Sequence, residues 1–278
     1  MNPVRPLVNR YKPVWQSNMV KSNLAFLKVR SNRVKKSFFV LAMICLAGMA
    51  WGYEVTFKEK PVKLPINKIV PLVFNVGTVD LAEIGGQKMH LVLVDLDLEM
   101  MFHCFPASDA AGNFSQDVVF PQDGRYLLYF YFQPSGQAPV VKIVPLDVGK
   151  VVNKFGTVRM YLDNEKITAD WQAVRFTTEP EEIKEKTEIN FTFLVAEMKS
   201  GKPVQNLLPY AGGGAQLVAI NATQDIYLQK QSVEQGLAAY GPELHFKVIF
   251  PKKGIYKLWL EFRSKKKMNT VPFTLQVK

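Results

Sequence analysis

His90, Met100, Met101, His103 and Cys104 lie close together in a chain of 278 residues that holds only three histidines and two cysteines. Imidazole, thiolate and thioether groups are the donors that suit copper and zinc, so metal chemistry is sought first in this stretch. His90 and His103 are the ligand candidates. Met101, or its neighbour Met100, would add a soft thioether for Cu(I), and Cys104 a thiolate. Cys104 follows His103 directly, however, and successive residues of a strand face opposite ways. A bulge would be needed to bring both to one ion. The same divergence argues against His103 as general base to a Cys104 nucleophile, because those two groups must touch. A competing reading makes His90 and His103 ordinary half-buried histidines that pack or hydrogen-bond.

Other polar clusters offer less. Asp95, Asp97 and Glu99 alternate, but they lack the glycine and the further carboxylate of a calcium loop and read as a solvated strand end or turn. Gly212, Gly213 and Gly214 have neither the Lys-Ser/Thr nor the βαβ setting of a phosphate loop and read as a bend or bulge. Lys265, Lys266 and Lys267 fall between two strand-like runs and read as a solvated turn, with contact to anionic lipid or cell-wall polymer as the alternative. His245 reads as structural. No carboxylate pair or catalytic triad is legible, so the expectation is a protein that is not an enzyme.

The elements that must position these residues are strands, and they occur twice. Val55-Thr56-Phe57 matches Val174-Arg175-Phe176, and Leu72 and Val76 match Phe191 and Val195, all at offset 119. His90-Leu91-Val92-Leu93-Val94 matches Gln216-Leu217-Val218-Ala219-Ile220 at offset 126. Phe120-Pro121-Gln122-Asp123-Gly124-Arg125-Tyr126 matches Phe250-Pro251-Lys252-Lys253-Gly254-Ile255-Tyr256 at offset 130. Ungapped blocks in one order, separated by short insertions, mark a duplication.

Short runs rich in Val, Phe, Tyr and Leu, broken by Pro, Gly and Asp, are strand-like. The PQDG and PKKG sequences are turns in which glycine takes a positive φ. In Tyr256–Phe262 the alternation puts Lys257, Trp259 and Glu261 on one face. The expected class is all-β, with two tandem immunoglobulin-like β-sandwich modules of about seven strands each after an N-terminal membrane segment.

These blocks carry a resemblance. The order HLVLV, Asp95-Leu96, His103-Cys104-Phe105-Pro106 and Phe-Pro-x-x-Gly-x-Tyr resembles a bacterial group of exported immunoglobulin-like or cupredoxin-like modules, YtkA-like in style, over residues 53–278. In that group the second copy opens Pro-Tyr-Leu-Gly-Ala-x-x-His. Here Pro209, Tyr210 and Gly212 match it, while Ala211, Gly213 and Gln216 depart from it. The resemblance implies three histidine positions per copy. In copy one they hold His90, His103 and Phe105, and in copy two Gln216, Gln229 and Gln231. It therefore implies a degenerate copper or zinc site in copy one, from His90 and His103, with copy two silent toward metal.

The net charge of +11 is a property of the leader. Residues 1–53 carry nine Lys/Arg and no Asp or Glu, while the remaining 225 residues carry 26 basic and 24 acidic side chains. No basic groove for nucleic acid is implied. Residues 38–51 form an uncharged run of 14 apolar or small residues behind Lys35 and Lys36. That suits a signal-peptide core of about 7–15 residues better than a span of about 20.

Cleavage after Ala50 is one expectation. The other is an uncleaved anchor lengthened by Tyr53, Val55 and Phe57. Met19 is an alternative start, and Cys45 lacks the small neighbour expected at a lipid-modified cysteine. The lysine and arginine excess places the N-terminus inside and the bulk outside the bacterial cytoplasmic membrane, or released from it. The expected organisation is a basic leader (1–36), a signal or anchor (37–53), module one (54–150), connecting strands (151–173) and module two (174–278). The membrane is then the one legible partner. Cys104 alone remains in the exported part, which leaves no internal disulfide.

Overall fold

A computed structural model describes residues 52–58, 64–151, 162–168, 171–265 and 267–278. The basic leader, the apolar run with Cys45, the alternative start at Met19 and residues 152–161 of the connecting stretch lie outside the described residues. Among the described residues every helix or strand element is a strand, and no helix there is long and apolar enough to cross a membrane.

The first sandwich contains β1 (Thr56–Phe57), β2 (Ile69–Asn75), β3 (Leu81–Ala82), β4 (Met89–Asp95), β5 (Met101–Cys104), β6 (Ala107–Ser108), β7 (Asn113–Val119), β8 (Gly124–Pro134) and β9 (Val140–Val148). The second contains β10 (Glu165–Ile167), β11 (Gln172–Glu179), β12 (Glu188–Glu197), β13 (Ala215–Asn221), β14 (Tyr227–Gln231), β15 (Glu243–Ile249), β16 (Gly254–Ser264) and β17 (Lys267–Val277). All ladders between these strands are antiparallel.

Each sandwich has an outer sheet, β1-β2-β7-β6 or β10-β11-β12-β15. Each also has an inner sheet. In the first, β5, β4, β8 and β9 pair in turn, with β3 on β8; in the second the order is β14-β13-β16-β17. The duplication is thus visible strand by strand, with seven strands common to both copies.

The alternation expected of half-buried strands holds in the outer sheets. In β12, Ile189, Phe191, Phe193 and Val195 point inward between more exposed residues. Gly124 and Gly254 have φ of +138° to +144° at the foot of β8 and β16, where a side chain would be strained. Two residues further on, the Tyr126 hydroxyl donates to the Gln122 carbonyl at 3.1 Å and that of Tyr256 to Lys252 at 2.7 Å. This tyrosine corner is an immunoglobulin-like feature, and it occurs once in each copy.

Tyr53, Val55 and Phe57, three residues by which the apolar run could be lengthened, are half-buried against the first core, with Tyr53 edge-on to Phe132 at 6.0 Å.

The two sandwiches pack inner sheet to inner sheet. Every residue of β4 and of β13 is buried. Leu91 and Leu93 face the core of the first sandwich, and Leu217 and Ala219 that of the second. Their alternate neighbours Val92, Val94, Val218 and Ile220 meet in a third cluster with Leu98, Tyr129, Tyr227 and Trp259. A strand buried on both faces needs a nearly unbroken apolar sequence, which HLVLV and QLVAI provide.

Candidate functional site

The facing inner sheets are ordered in rows. Across β14, β13, β16 and β17, one row reads Gln231, Gln216, Glu261 and Thr270, and the next reads Gln229, Val218, Trp259 and Pro272. On the first sandwich His90 lies beside Tyr131 and Val141, and His103 beside Val92 and Tyr129. Toward one end the facing rows are apolar, and Tyr129 stacks on Tyr227 at 5.2 Å. Toward the other end they are polar, and both candidate histidines project there.

The two imidazoles touch: His90 Nδ1 and His103 Nε2 are 3.1 Å apart. Each ring's other nitrogen is anchored. His90 Nε2 lies 2.9 Å from the Ile84 carbonyl. A carbonyl only accepts, so His90 carries its proton on Nε2 and presents a lone pair at Nδ1. His103 Nδ1 lies 2.5 Å from Glu261 Oε2, on the other sandwich. Gln229, also from the second sandwich, donates from Nε2 to His90 Nδ1 at 2.9 Å and accepts from the Tyr227 hydroxyl at 2.5 Å. The Tyr210 hydroxyl and the Thr270 hydroxyl each lie 3.5 Å from a Glu261 oxygen.

The two imidazoles and the Glu261 carboxylate are shielded from water. His90 is 0% exposed, and the side chains of His103 and Glu261 are 0% and 4% exposed. Burial, with a smaller contribution from His103, holds the His90 pKa down at about 4 despite the opposing Ile84 carbonyl. Burial followed by the Glu261 charge pushes the Tyr210 hydroxyl well above its ordinary value.

The remaining candidates divide by strand face. β5 is regular, pairing Leu91 with Cys104 and Val92 with His103. Cys104 and Met100 therefore pack against the first sandwich's own core, while Met101 joins the inter-sandwich cluster. Burial and then the Glu261 charge push the Cys104 thiol up to about 11. Phe105, at the third histidine position, closes over both imidazoles, 5.1 Å from His90 and 4.9 Å from His103. Gln216, the counterpart of His90, is 0% exposed, yet neither of its amide atoms has a hydrogen-bond partner.

Two matching turns cover the polar end. Ile84 bridges Gln87, and Tyr210 bridges Gly213. Gly85, with φ of +61°, meets the Ala211 carbonyl so closely that a Cβ would stand 2.3 Å from its oxygen.

Sequence reasoning placed the site in copy one alone and missed Glu261, Gln229 and Tyr210. The signal was a carboxylate at mid-strand sharing a face with Trp259. It became informative only once that face was known to be covered. Elsewhere the Asp95 carboxylate caps its own turn, accepting from the amides of Glu99 and Met100 at 2.9 and 3.1 Å. His245 pairs with Glu234 on the second sandwich's surface. A cleft of about 660 Å³ lined by Leu162, Phe176, Glu182, Ile183 and Leu275 holds neither candidate histidine.

The architecture defines a class: an all-β protein of two immunoglobulin-like sandwiches joined through a buried polar centre. The chain belongs to the family described as Domain of unknown function (DUF8832), which matches it over residues 49–148 and again over 152–278. No curated protein matches it.

Among solved structures it is similar to three bacterial β proteins. It shares 9% identity with the fibronectin(III)-like modules of Clostridium thermocellum CbhA, covering 81% of this chain and 93% of that one at a TM-score of 0.23. It shares 13% identity with the Escherichia coli adhesin FdeC, covering 81% and 64% at a TM-score of 0.26. It shares 11% identity with the Yersinia pseudotuberculosis adhesin InvE, covering 80% and 58% at a TM-score of 0.23. The chain thus spans less than two thirds of either adhesin structure.

Proposed function

We propose that this is a non-enzymatic extracytoplasmic protein of the bacterial envelope whose two sandwiches act as one rigid structural or partner-binding unit. The observation that carries the reading is the burial of β4 and β13 on both faces, with the His103–Glu261 pair sealed between them. Imidazoles enclosed in this way meet no substrate, and what they do is fasten one sandwich to the other. Export is supported by the leader, whose basic residues precede a 14-residue apolar run.

Calorimetry of the whole chain tests the rigid unit. One cooperative transition is expected, because neither inner sheet can expose its outer face without losing apolar burial. Two separate transitions, one per sandwich, would overturn it.

A second reading is favoured by one specific arrangement. Imidazoles that hold a metal have the distal nitrogen anchored by a carbonyl or carboxylate. Here Ile84 and Glu261 supply those anchors, and the two remaining nitrogens face each other at 3.1 Å, so an ion between them would displace the Gln229 amide that donates to His90 Nδ1. Two nitrogens bound to one zinc or copper ion at about 2.0–2.1 Å stand roughly 3–3.5 Å apart. His90 and His103 therefore fit as imidazole ligands of such an ion. The ion would add a cross-link between β4 and β5 at the sandwich interface. Cys104 faces away from this position and is not a ligand. Titration of the whole chain with Cu(I), Cu(II) and Zn(II) should show one equivalent that a His90→Gln/His103→Gln double variant loses. Binding no tighter than that variant retires this reading and leaves the structural one.

A further inference from the structure

Gln216 is the least satisfied polar group among the described residues. Its amide is wholly buried, and both its oxygen and its nitrogen lack partners. An amide in that state is costly, and where one persists it points to an unseen water or ion. Its position is informative. Gln216 lies directly across from Glu261 on β16 and from Gln231 on β14, and it is diagonal to Gln229. Glu261 and Gln229 of the second sandwich hydrogen-bond to the imidazoles. The orphan amide thus belongs to the same polar row, on the side that faces His90 and His103.

We propose that metal capture at the histidine pair is an event shared between the sandwiches. Glu261 acts as the positioning residue that fixes His103, and Gln216 supplies a further amide-oxygen donor. The proposal rests on the metal reading above and assigns the control of that site to the copy whose histidines have been replaced.

The chemistry is consistent. A carboxylate on the distal nitrogen sets the tautomer that leaves the ligating nitrogen bare and raises its basicity. An amide oxygen serves as a weak extra donor in copper sites. The ion would be a borderline or soft one preferring imidazole, copper or zinc, because hard cations select oxygen-rich sets. The pseudo-symmetry supports a shared centre as well. Gln216 and Gln229 stand at the positions that His90 and His103 occupy in the first copy, so the duplicated sheets present both sets to one space.

The test compares Zn(II) and Cu(I) affinities, by competition with a chromophoric chelator, for the whole chain and its Glu261→Gln, Gln216→Leu and His90→Gln variants. Circular dichroism melts of the metal-free proteins accompany each titration. Gln216 has no protein partner to lose, so Gln216→Leu should melt at or above the wild-type temperature, which keeps the test valid even if Glu261→Gln folds poorly. Losing an anchor of this kind typically weakens metal binding about 10- to 100-fold, and a loss of at least about tenfold is expected in each of the two second-sandwich variants. Wild-type affinity in both, with binding lost in His90→Gln, overturns the shared site while leaving the metal reading intact. Absence of binding in the wild type removes the metal reading and this inference with it.

Discussion

Glu261 of the second sandwich meets His103 of the first at 2.5 Å, with both side chains all but excluded from water. Neither group can be removed alone without stranding the other. Breaking a buried pair by deleting one partner costs about 3–5 kcal/mol, far more than the roughly 0–1 kcal/mol of a surface ion pair. Glu261→Ala should therefore lower the urea midpoint of the whole chain strongly. Arg125→Ala, which removes the exposed contact to Asp147, should barely move it. Equal shifts in the two variants would show that the inter-sandwich pair contributes no more than a surface contact.

Acid should loosen the same centre through His90. Its folded pKa, about 4, is depressed from the ordinary 6.5, so the unfolded chain binds a proton that the folded chain refuses. Its contribution to stability is complete above pH 6.5 and is lost progressively as pH falls to about 4. The full effect is on the order of 3 kcal/mol. Carboxylates titrate over part of the same range, so the quantity to measure is the stability of the wild type minus that of His90→Gln. That difference should shrink steadily between pH 7 and pH 4; a constant difference would show that His90 is not held neutral.

The glycine turns give a steric test. Gly85 and Gly86 both have positive φ, +61° and +79°, and alanine pays a similar backbone penalty at each. Only at Gly85 would a Cβ collide with the Ala211 backbone, whereas nothing lies within 4 Å at Gly86. Gly86→Ala should cost about 1 kcal/mol, and Gly85→Ala clearly more, because the turns over the polar centre must separate. Comparable melting temperatures for the two variants would mean that the turns are not held in contact.

Cys104 should be a slow thiol. With its pKa raised from 9.0 to about 11, its thiolate fraction near pH 8 falls by about two orders of magnitude, and the thiolate is the reactive form. Reaction with an aromatic disulfide should be correspondingly slow in the native protein and rapid in urea. Fast native labelling would place the thiol in solvent rather than against the first core.

Much of the fold follows from short-range pattern. The two Gly-x-Tyr segments at offset 130 carry both the glycine that turns the chain into the long strand and the tyrosine whose hydroxyl closes the corner. The turn and the corner span only a few residues, so they are written in local sequence. The opposed directions of His103 and Cys104 follow for the same reason, since a regular strand alternates faces.

Sequence also supplied His90 and His103 as candidates from residue type and from copy-to-copy alignment. It could not show that they touch, because contact across β4 and β5 depends on register. Still less could it show that Glu261, 158 residues beyond His103, completes the centre. In a linear reading, the face bearing Lys257, Trp259 and Glu261 looks like the polar side of a half-exposed strand. Packing two inner sheets together buries that face and turns an unremarked carboxylate into the partner of a buried imidazole. The sequence by itself therefore determined the strands, the turns and the duplication, which are governed by local backbone and burial preferences. Only the tertiary structure decided that the two copies share one centre, because docking two already formed sheets is a long-range event with no local signature.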